Sequence, residues 1–292
     1  MKYLEKFYLP SRDSEADYIL SYHHKIWMEC YSDNIYPFNI FPDKELTGIS
    51  FSPITIFCGS NGSGKSTLLN VIAEKLGVER SSPFNYTTFF EEYLKLCDYE
   101  STYSKRMPKE SRIITSDDVF DMLLDFRSLN IGVDEKREDL FDEYYRTRKE
   151  KFVLSSLDDY EELKRHREAK SKTKSAYVSK RLPKNISSKS NGESAYAYFT
   201  KRIPENALCL LDELENSLSV MLQKELAAFV ADSARFFGTQ FIISTHSPFF
   251  LSLDGATVYD LDTCPVRCCR WSEVEAMKTY YDFFKDKEKS FL

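Results

Sequence analysis

No uninterrupted apolar run in this 292-residue chain approaches the roughly 18 residues that a membrane span needs; Ala207 to Leu211 is a representative stretch. The opening Met1-Lys2-Tyr3-Leu4-Glu5-Lys6 also lacks the apolar segment of a signal peptide. The expectation is a soluble, cytoplasmic protein with no membrane partner. Cysteine forms no framework either, since seven residues make no even set. Cys58 and Cys209 sit inside runs that read as buried strands, where a thiol acts as a small hydrophobe. Cys264, Cys268 and Cys269 lie close together, but no histidine or fourth cysteine is near, and the spacing reads as a strand or turn, not as a zinc site.

What is present is enough for a sizeable core: 42% of the chain is hydrophobic and 15% of the chain is aromatic. The net charge of −6 conceals an asymmetry. Residues 144–189 hold fourteen Lys or Arg against six Asp or Glu, an excess of eight positive charges that leaves −14 on the remainder. A basic segment is inserted into an acidic body.

The organising stretch is Gly59-Ser60-Asn61-Gly62-Ser63-Gly64-Lys65-Ser66-Thr67, which matches the phosphate-binding pattern G-x-x-x-x-G-K-[ST] at every defined position. Ile54 to Cys58 before it is a β-branched apolar run. Leu68, Leu69, Ile72 and Leu76 after it repeat at helical spacing, with Gly77 as the C-cap. Strand, loop and helix N-terminus together aim backbone N–H groups at a polyphosphate. Lys65 is expected to reach the β- and γ-phosphates of ATP, and Ser66 to place its hydroxyl on Mg²⁺.

Residues 1–50, rich in Tyr, Phe and Pro, read as strands and turns, with a short helix between Asp13 and Tyr31. Tyr36, Phe38 and Phe41 read first as core or edge-strand residues, with stacking on a base as the alternative. A helix with flanking loops is expected over 83–103, a strand at Arg112 to Thr115, and a helix from Ser116-Asp117-Asp118 to Phe126. Residues 128–189 read as a charged helical insertion in a single domain spanning 1–292. Leu154, Leu157, Tyr160 and Leu163 give it a narrow apolar stripe, and Lys170 to Ser190 is expected to be mobile. A helix over Glu193 to Ile203, a strand at Ala207 to Leu211, a helix over Ser217 to Phe237 and a strand at Phe241 to Thr245 then form the βαβ succession of a parallel sheet.

Leu208-Cys209-Leu210-Leu211-Asp212-Glu213 delivers two carboxylates at the C-terminal end of a buried strand. Asp212 is placed to hold Mg²⁺ beside Ser66, and Glu213 to orient or deprotonate an attacking water. His246, directly after the next strand, is positioned to donate to the γ-phosphate or to orient that water.

The order of phosphate loop, Ser190-Asn191-Gly192-Glu193, apolar-Asp212-Glu213 and strand-end His246 resembles the ABC-type P-loop ATPases, and their SMC-like soluble branch more than transporter subunits. The stretches Leu211 to Ser219 and Gln240 to Pro248 look like those of small stand-alone bacterial AAA/ABC ATPases, some of which occur in antiphage defence systems. The resemblance covers 50–76 and 188–262 and is thin over 80–187. It implies an α/β fold with a mostly parallel core sheet, a β-rich N-terminal portion and the charged insertion. It also implies Mg-ATP hydrolysis and a head-to-tail homodimer. In that dimer Ser190, Gly192 and the first turn with Glu193 face the γ-phosphate bound by the other copy, and Asn216 to Ser219 cross the interface. An effector such as a nuclease is the implied partner, and nucleic acid along 144–189 is weighed against a protein-docking surface there. Three departures stand out. Gln223 and Gln240 are the only glutamines, so none lies between phosphate loop and signature, where Asp117 or Asp118 is the candidate replacement. Leu214 stands where proline is usual, and the signature lacks a double glycine. The alternative these raise is a nucleotide-gated module with little turnover that controls a nuclease or toxin.

Overall fold

A computed structural model describes the chain apart from residues 30–34, 103–106, 151–159, 180, 183–189 and 292, and apart from the side chains of 22–29, 160, 161 and 163. The chain forms two compact units, residues 1–119 with 190–292, and residues 120–189.

The first unit begins with β1 (Leu4–Tyr8), α1 (Arg12–Glu29), β2 (Gly48–Ser50), β3 (Ile54–Cys58), α2 (Lys65–Leu76), α3 (Phe90–Leu96), β4 (Asp98–Ser101) and β5 (Arg112–Thr115). Helix α4 (Ser116–Lys149) continues into the second unit, which adds α5 (Tyr160–Ser171) and α6 (Lys174–Ser179). The first unit resumes with α7 (Asn191–Arg202), β6 (Leu208–Asp212), α8 (Val220–Phe236), β7 (Gln240–Ser244), α9 (Pro248–Leu251), β8 (Thr257–Asp260), β9 (Arg267–Cys269) and α10 (Glu275–Asp286).

A six-stranded sheet of order β5-β6-β7-β3-β8-β9 is parallel except for β9. Its central strands are buried on both faces, which is why they read as nearly continuous apolar runs. The register sets Thr115 opposite Asp212, Asp212 opposite Ser244, and Ser244 opposite Phe57. Four strands therefore end level with one another, just below the phosphate loop.

A second, antiparallel sheet, β2-β1-β4, completes the β-rich N-terminal portion. Gln240, fully buried, ties this sheet to β7: its carbonyl accepts from the N–H groups of Tyr3 (2.7 Å) and Leu4 (2.9 Å), and its amide donates to the carbonyls of Leu4 (2.8 Å) and Ser52 (3.2 Å). The amide thus meets the hydrogen-bonding needs of β1 where the sheet turns inward.

Several elements differ from the sequence reading. Strand β4 falls inside the stretch expected to be a helix with loops. Its polar Asp98-Tyr99-Glu100-Ser101 gains strand geometry by pairing with β1, where Lys6 bridges Glu100 at 3.3 Å. Helix α4 runs well past Phe126, and helix α8 starts at Val220 after a 3₁₀ turn at Leu214–Ser217. Helix α6 occupies part of the stretch expected to be mobile; the Leu154 and Leu157 stripe positions lie outside the described residues.

The second unit has its own small core of Tyr144, Ala169, Tyr177 and Val178, flanked by Leu140, Phe141 and Leu182. Arg181 reaches Glu143 (3.1 Å) and Glu168 (3.4 Å), and Lys174 lies 3.8 Å over the Phe141 ring. Part of the basic charge is therefore neutralised within the unit itself.

Candidate nucleotide site

The phosphate loop joins β3 to α2, and three of its residues need backbone conformations that glycine alone adopts without strain. Gly64, at φ 95°, is the N-cap of α2, and a Cβ there would stand 3.1 Å from Ile40 Cγ2. Gly59, at φ 145°, would bring a Cβ to 2.7 Å from Ser63 Oγ. Lys65 is 3% exposed and donates to the carbonyls of Gly59 (3.0 Å) and Ser60 (3.1 Å), so its ammonium bends back over the loop. Asn61 and Gly62 are exposed at the loop tip, whereas Ser63 is buried. The hydroxyl of Thr67 is hydrogen-bonded to that of Tyr36 at 3.2 Å.

Beside the loop, Ser66 Oγ donates to Asp212 Oδ1 at 3.1 Å. Burial pushes the Asp212 carboxyl up to about 6, against the pull of its hydroxyl partners and of Lys65. Glu213 is held at φ 49°, in the left-handed region, at the turn out of β6. Its backbone N–H donates to Ser244 O (2.9 Å), and its Oε1 lies 3.8 Å from Lys65 Nζ and 3.9 Å from His246 Nε2. Asn216 donates to Glu213 Oε2 at 3.1 Å. A carboxylate is thus stationed between a lysine and a histidine, next to a second, half-buried carboxylate. That set can bind a polyphosphate and activate a water beside it.

Mg²⁺ fits the donors present. It takes hard oxygen ligands and commonly uses one or two protein groups, with phosphate oxygens and water completing its shell; Ser66 and Asp212 offer a hydroxyl and a carboxylate in contact. Among the described residues no group of three or more His, Cys, Asp or Glu side chains forms a metal cage, and the six described cysteines are free. Asp117 is exposed on the first turn of α4, one turn past the β5 end. Asp118 is instead buried and committed: it accepts from the Thr115 N–H at 2.8 Å and from the Ser82 hydroxyl. Capping and anchoring α4 account for Asp118.

The signature stretch opens α7 as expected, with Ser190 as N-cap. Glu193 folds back in a capping box: Ser190 N–H and Oγ donate to Glu193 Oε2 (3.0 and 2.8 Å), and Glu193 N–H donates to Ser190 Oγ (3.2 Å). Gly192 packs against the start of α8, where a Cβ would meet Leu222 Cδ1 at 3.1 Å. No described hydrogen bond or ion pair links Ser190 or Gly192 to the phosphate loop of the same chain. Of the base-stacking candidates, Phe38 and Phe41 are 4% and 0% exposed and belong to the core; Tyr36 is half-buried.

Three further residues shape the site without a signal in the sequence. Asp262, after β8, accepts from Ser60 N–H (2.6 Å) and Ser60 Oγ (2.8 Å) and so braces the start of the loop. Glu215 accepts from the His246 N–H. Gln223 on α8 donates to the carbonyls of Leu218 (3.1 Å) and Glu215 (3.4 Å) and accepts from Ser247 Oγ (2.9 Å).

Residues 194–252, which hold most of α7, β6, α8, β7 and His246 but neither the phosphate loop nor Ser190 to Glu193, match the family described as "AAA domain, putative AbiEii toxin, Type IV TA system". No curated protein matches the chain. Among solved structures, the Smc head domain with an extended coiled coil bound to the C-terminal domain of ScpA, from Pyrococcus furiosus, superposes at a TM-score of 0.42 with 15% identity, covering 97% of this chain and 100% of that one. The SMC head domain from Thermotoga maritima superposes at 0.40 with 14% identity, covering 92% and 99%. The complete phosphate loop and the mostly parallel sheet with carboxylates at its strand ends make this a P-loop α/β fold, similar over residues 194–252 to that AAA-domain family.

Proposed function

We propose that this chain binds and hydrolyses Mg-ATP, that two copies close head to tail over two ATP molecules, and that this dimerisation controls a partner. The observation that carries the reading is the placement of Glu213 Oε1, 3.8 Å from Lys65 Nζ and 3.9 Å from His246 Nε2, beside the Ser66–Asp212 pair. Lys65 and the loop N–H groups hold the phosphates. Ser66 and Asp212 would hold Mg²⁺, which would supply positive charge to the bound polyphosphate. Glu213 orients a water and takes its proton, and His246 fixes Glu213 and the γ-phosphate relative to each other. Ser219 is exposed with its backbone beside Gly192, and Asn216 is exposed in the turn before it, which supports a composite site shared with Ser190 and Gly192 of a second copy.

The family description names a toxin–antitoxin system. In this reading the setting is a cytoplasmic defence system, in which the dimer acts on an effector such as a nuclease, or on nucleic acid through 144–189. The second reading, a nucleotide-gated module of low turnover, is favoured by one observation: Gln240 is spent on β1, and Gln223 on the turn after Glu213, so neither stands at the β5 end.

The solution mass of the Glu213→Gln variant with and without Mg-ATP tests the proposal, because this change removes the base while leaving the phosphate contacts. The expected result is a doubling on adding ATP, abolished by Lys65→Ala, which loses charge-assisted contacts of roughly 1.5–3 kcal/mol each. A mass that ignores ATP sinks the sandwich dimer, and unchanged ATP affinity in Lys65→Ala sinks the site.

A further inference from the structure

The turn after Glu213 and the strand end that carries His246 are joined by two side chains. Glu215 Oε1 accepts the backbone N–H of His246, and Gln223 Oε1 accepts the hydroxyl of Ser247, the next residue, at 2.9 Å. The same Gln223 amide donates to the carbonyls of Glu215 and Leu218, at the two ends of that turn. One side chain therefore bonds at once to the turn that follows Glu213 and to the residue that follows His246. Ser247 is 3% exposed and its own N–H donates to Thr245 Oγ1 at 3.0 Å, so the strand end has little freedom of its own.

Inside this frame two polar atoms are buried without a hydrogen-bond partner, Glu215 Oε2 and His246 Nε2. Leaving a buried donor or acceptor unmade is costly, and such atoms persist where the surroundings hold them for use. His246 Nε2 faces Glu213 Oε1 at 3.9 Å, beyond hydrogen-bond length.

We infer that Gln223 is a positioning residue for the hydrolytic step, holding the Glu215 turn and the Ser247 strand end in one register so that His246 stays aligned with Glu213. The inference rests on the ATPase reading above and adds to it a residue outside the motifs. Its side chain reaches neither the phosphate loop nor the Ser66–Asp212 pair by any described hydrogen bond, so its influence falls on the chemical step and spares nucleotide binding.

The test is a double-mutant cycle on the full chain, reading kcat and KM for ATP hydrolysis, affinity for a fluorescent ATP analogue, and melting temperature. Gln223→Met keeps the length of the side chain and removes its amide. The expected result is a fall in kcat of about tenfold or more, with KM and analogue affinity within about twofold, and almost no further loss when the change is made in a His246→Ala background. Losses that multiply in the double variant, an unchanged kcat, or an equal loss of ATP affinity overturn the inference. Should Gln223→Met not fold, Ser247→Ala removes one hydroxyl from the same link and carries the cycle in its place. Failure of the parent reading looks different: turnover that Lys65→Ala does not reduce discards the ATPase assignment and this role with it. Lys65-dependent turnover with additive losses discards only the role of Gln223.

Discussion

Residues 1–119 and 190–292 converge on a core in which Phe57, Leu210 and Ile242 are fully buried, whereas residues 120–189 cluster around Tyr144, Ala169, Tyr177 and Val178. The first unit spends its polar side chains on caps and on the site: Gln240 on β1, Asp118 on α4, Asp262 on the phosphate loop. In the second, cations lie against aromatic rings and acids, with Arg181 over Tyr177 at 4.0 Å and Lys172 bridging Glu168 at 2.7 Å. Partly exposed ion pairs of this kind contribute on the order of 1 kcal/mol each, less than a buried aliphatic side chain. The candidate site is framed by residues of the first unit, whereas the second holds its own small core by aromatic and ionic contacts.

A pair of truncations probes this contrast with the largest effect. Leu210→Ala, in the middle of β6, is expected to cost about 2–5 kcal/mol in denaturant unfolding and to weaken nucleotide binding, since β6 carries Asp212. Tyr144→Ala is expected to raise hydrogen exchange within 120–189 while leaving ATP affinity within about twofold. Comparable losses of ATP affinity in both variants would erase the distinction between the units.

Gln240→Leu should act next in size. It strips four hydrogen bonds at once and leaves the N–H groups of Tyr3 and Leu4 buried without acceptors, at about 1–3 kcal/mol for each group so orphaned. Calorimetry would show a lowered melting temperature, with proteolytic cleavage near the β1 end; a silent variant would mean that water takes over both donors.

The smallest effect is a pH dependence within the first unit. Glu15 is 1% exposed, and burial raises its carboxyl above the ordinary carboxylate range despite the Asn39 N–H it accepts at 2.7 Å. A carboxyl raised in the folded state favours folding most fully below the unfolded value of about 4.3, and that contribution is lost as pH climbs through the folded value. Glu15→Gln, neutral throughout, should therefore melt higher than the parent near neutral pH, with the gap shrinking toward about pH 4. A gap that widens on acidification would reverse the sign assigned to this group.

Strands β3, β5, β6 and β7 were legible because parallel strands covered on both faces need unbroken apolar runs, and Ile54 to Cys58 or Phe241 to Thr245 is such a run. Strand β4 was not, since Asp98 to Ser101 is polar and owes its geometry to β1 alone. Helix α4 outran its expected end because a charged helix without a capping signal shows no stop in its pattern. In the site, Gly59 to Thr67, Asp212, Glu213 and His246 were visible because each lies at a strand end or helix start that local sequence marks.

Sequence by itself therefore determined the phosphate loop, the strand-end carboxylates and the αβ alternation, all of which rest on neighbours within a few residues. Tertiary structure alone decided that Asp262 braces Ser60, that Glu215 holds the His246 N–H, and that Gln223 links the turn to Ser247. It also decided that Glu193 turns back on Ser190 and that Phe38 and Phe41 go to the core. A hydrogen bond is short and directional while the chain between its partners is long, so only the folded backbone says which polar side chains meet.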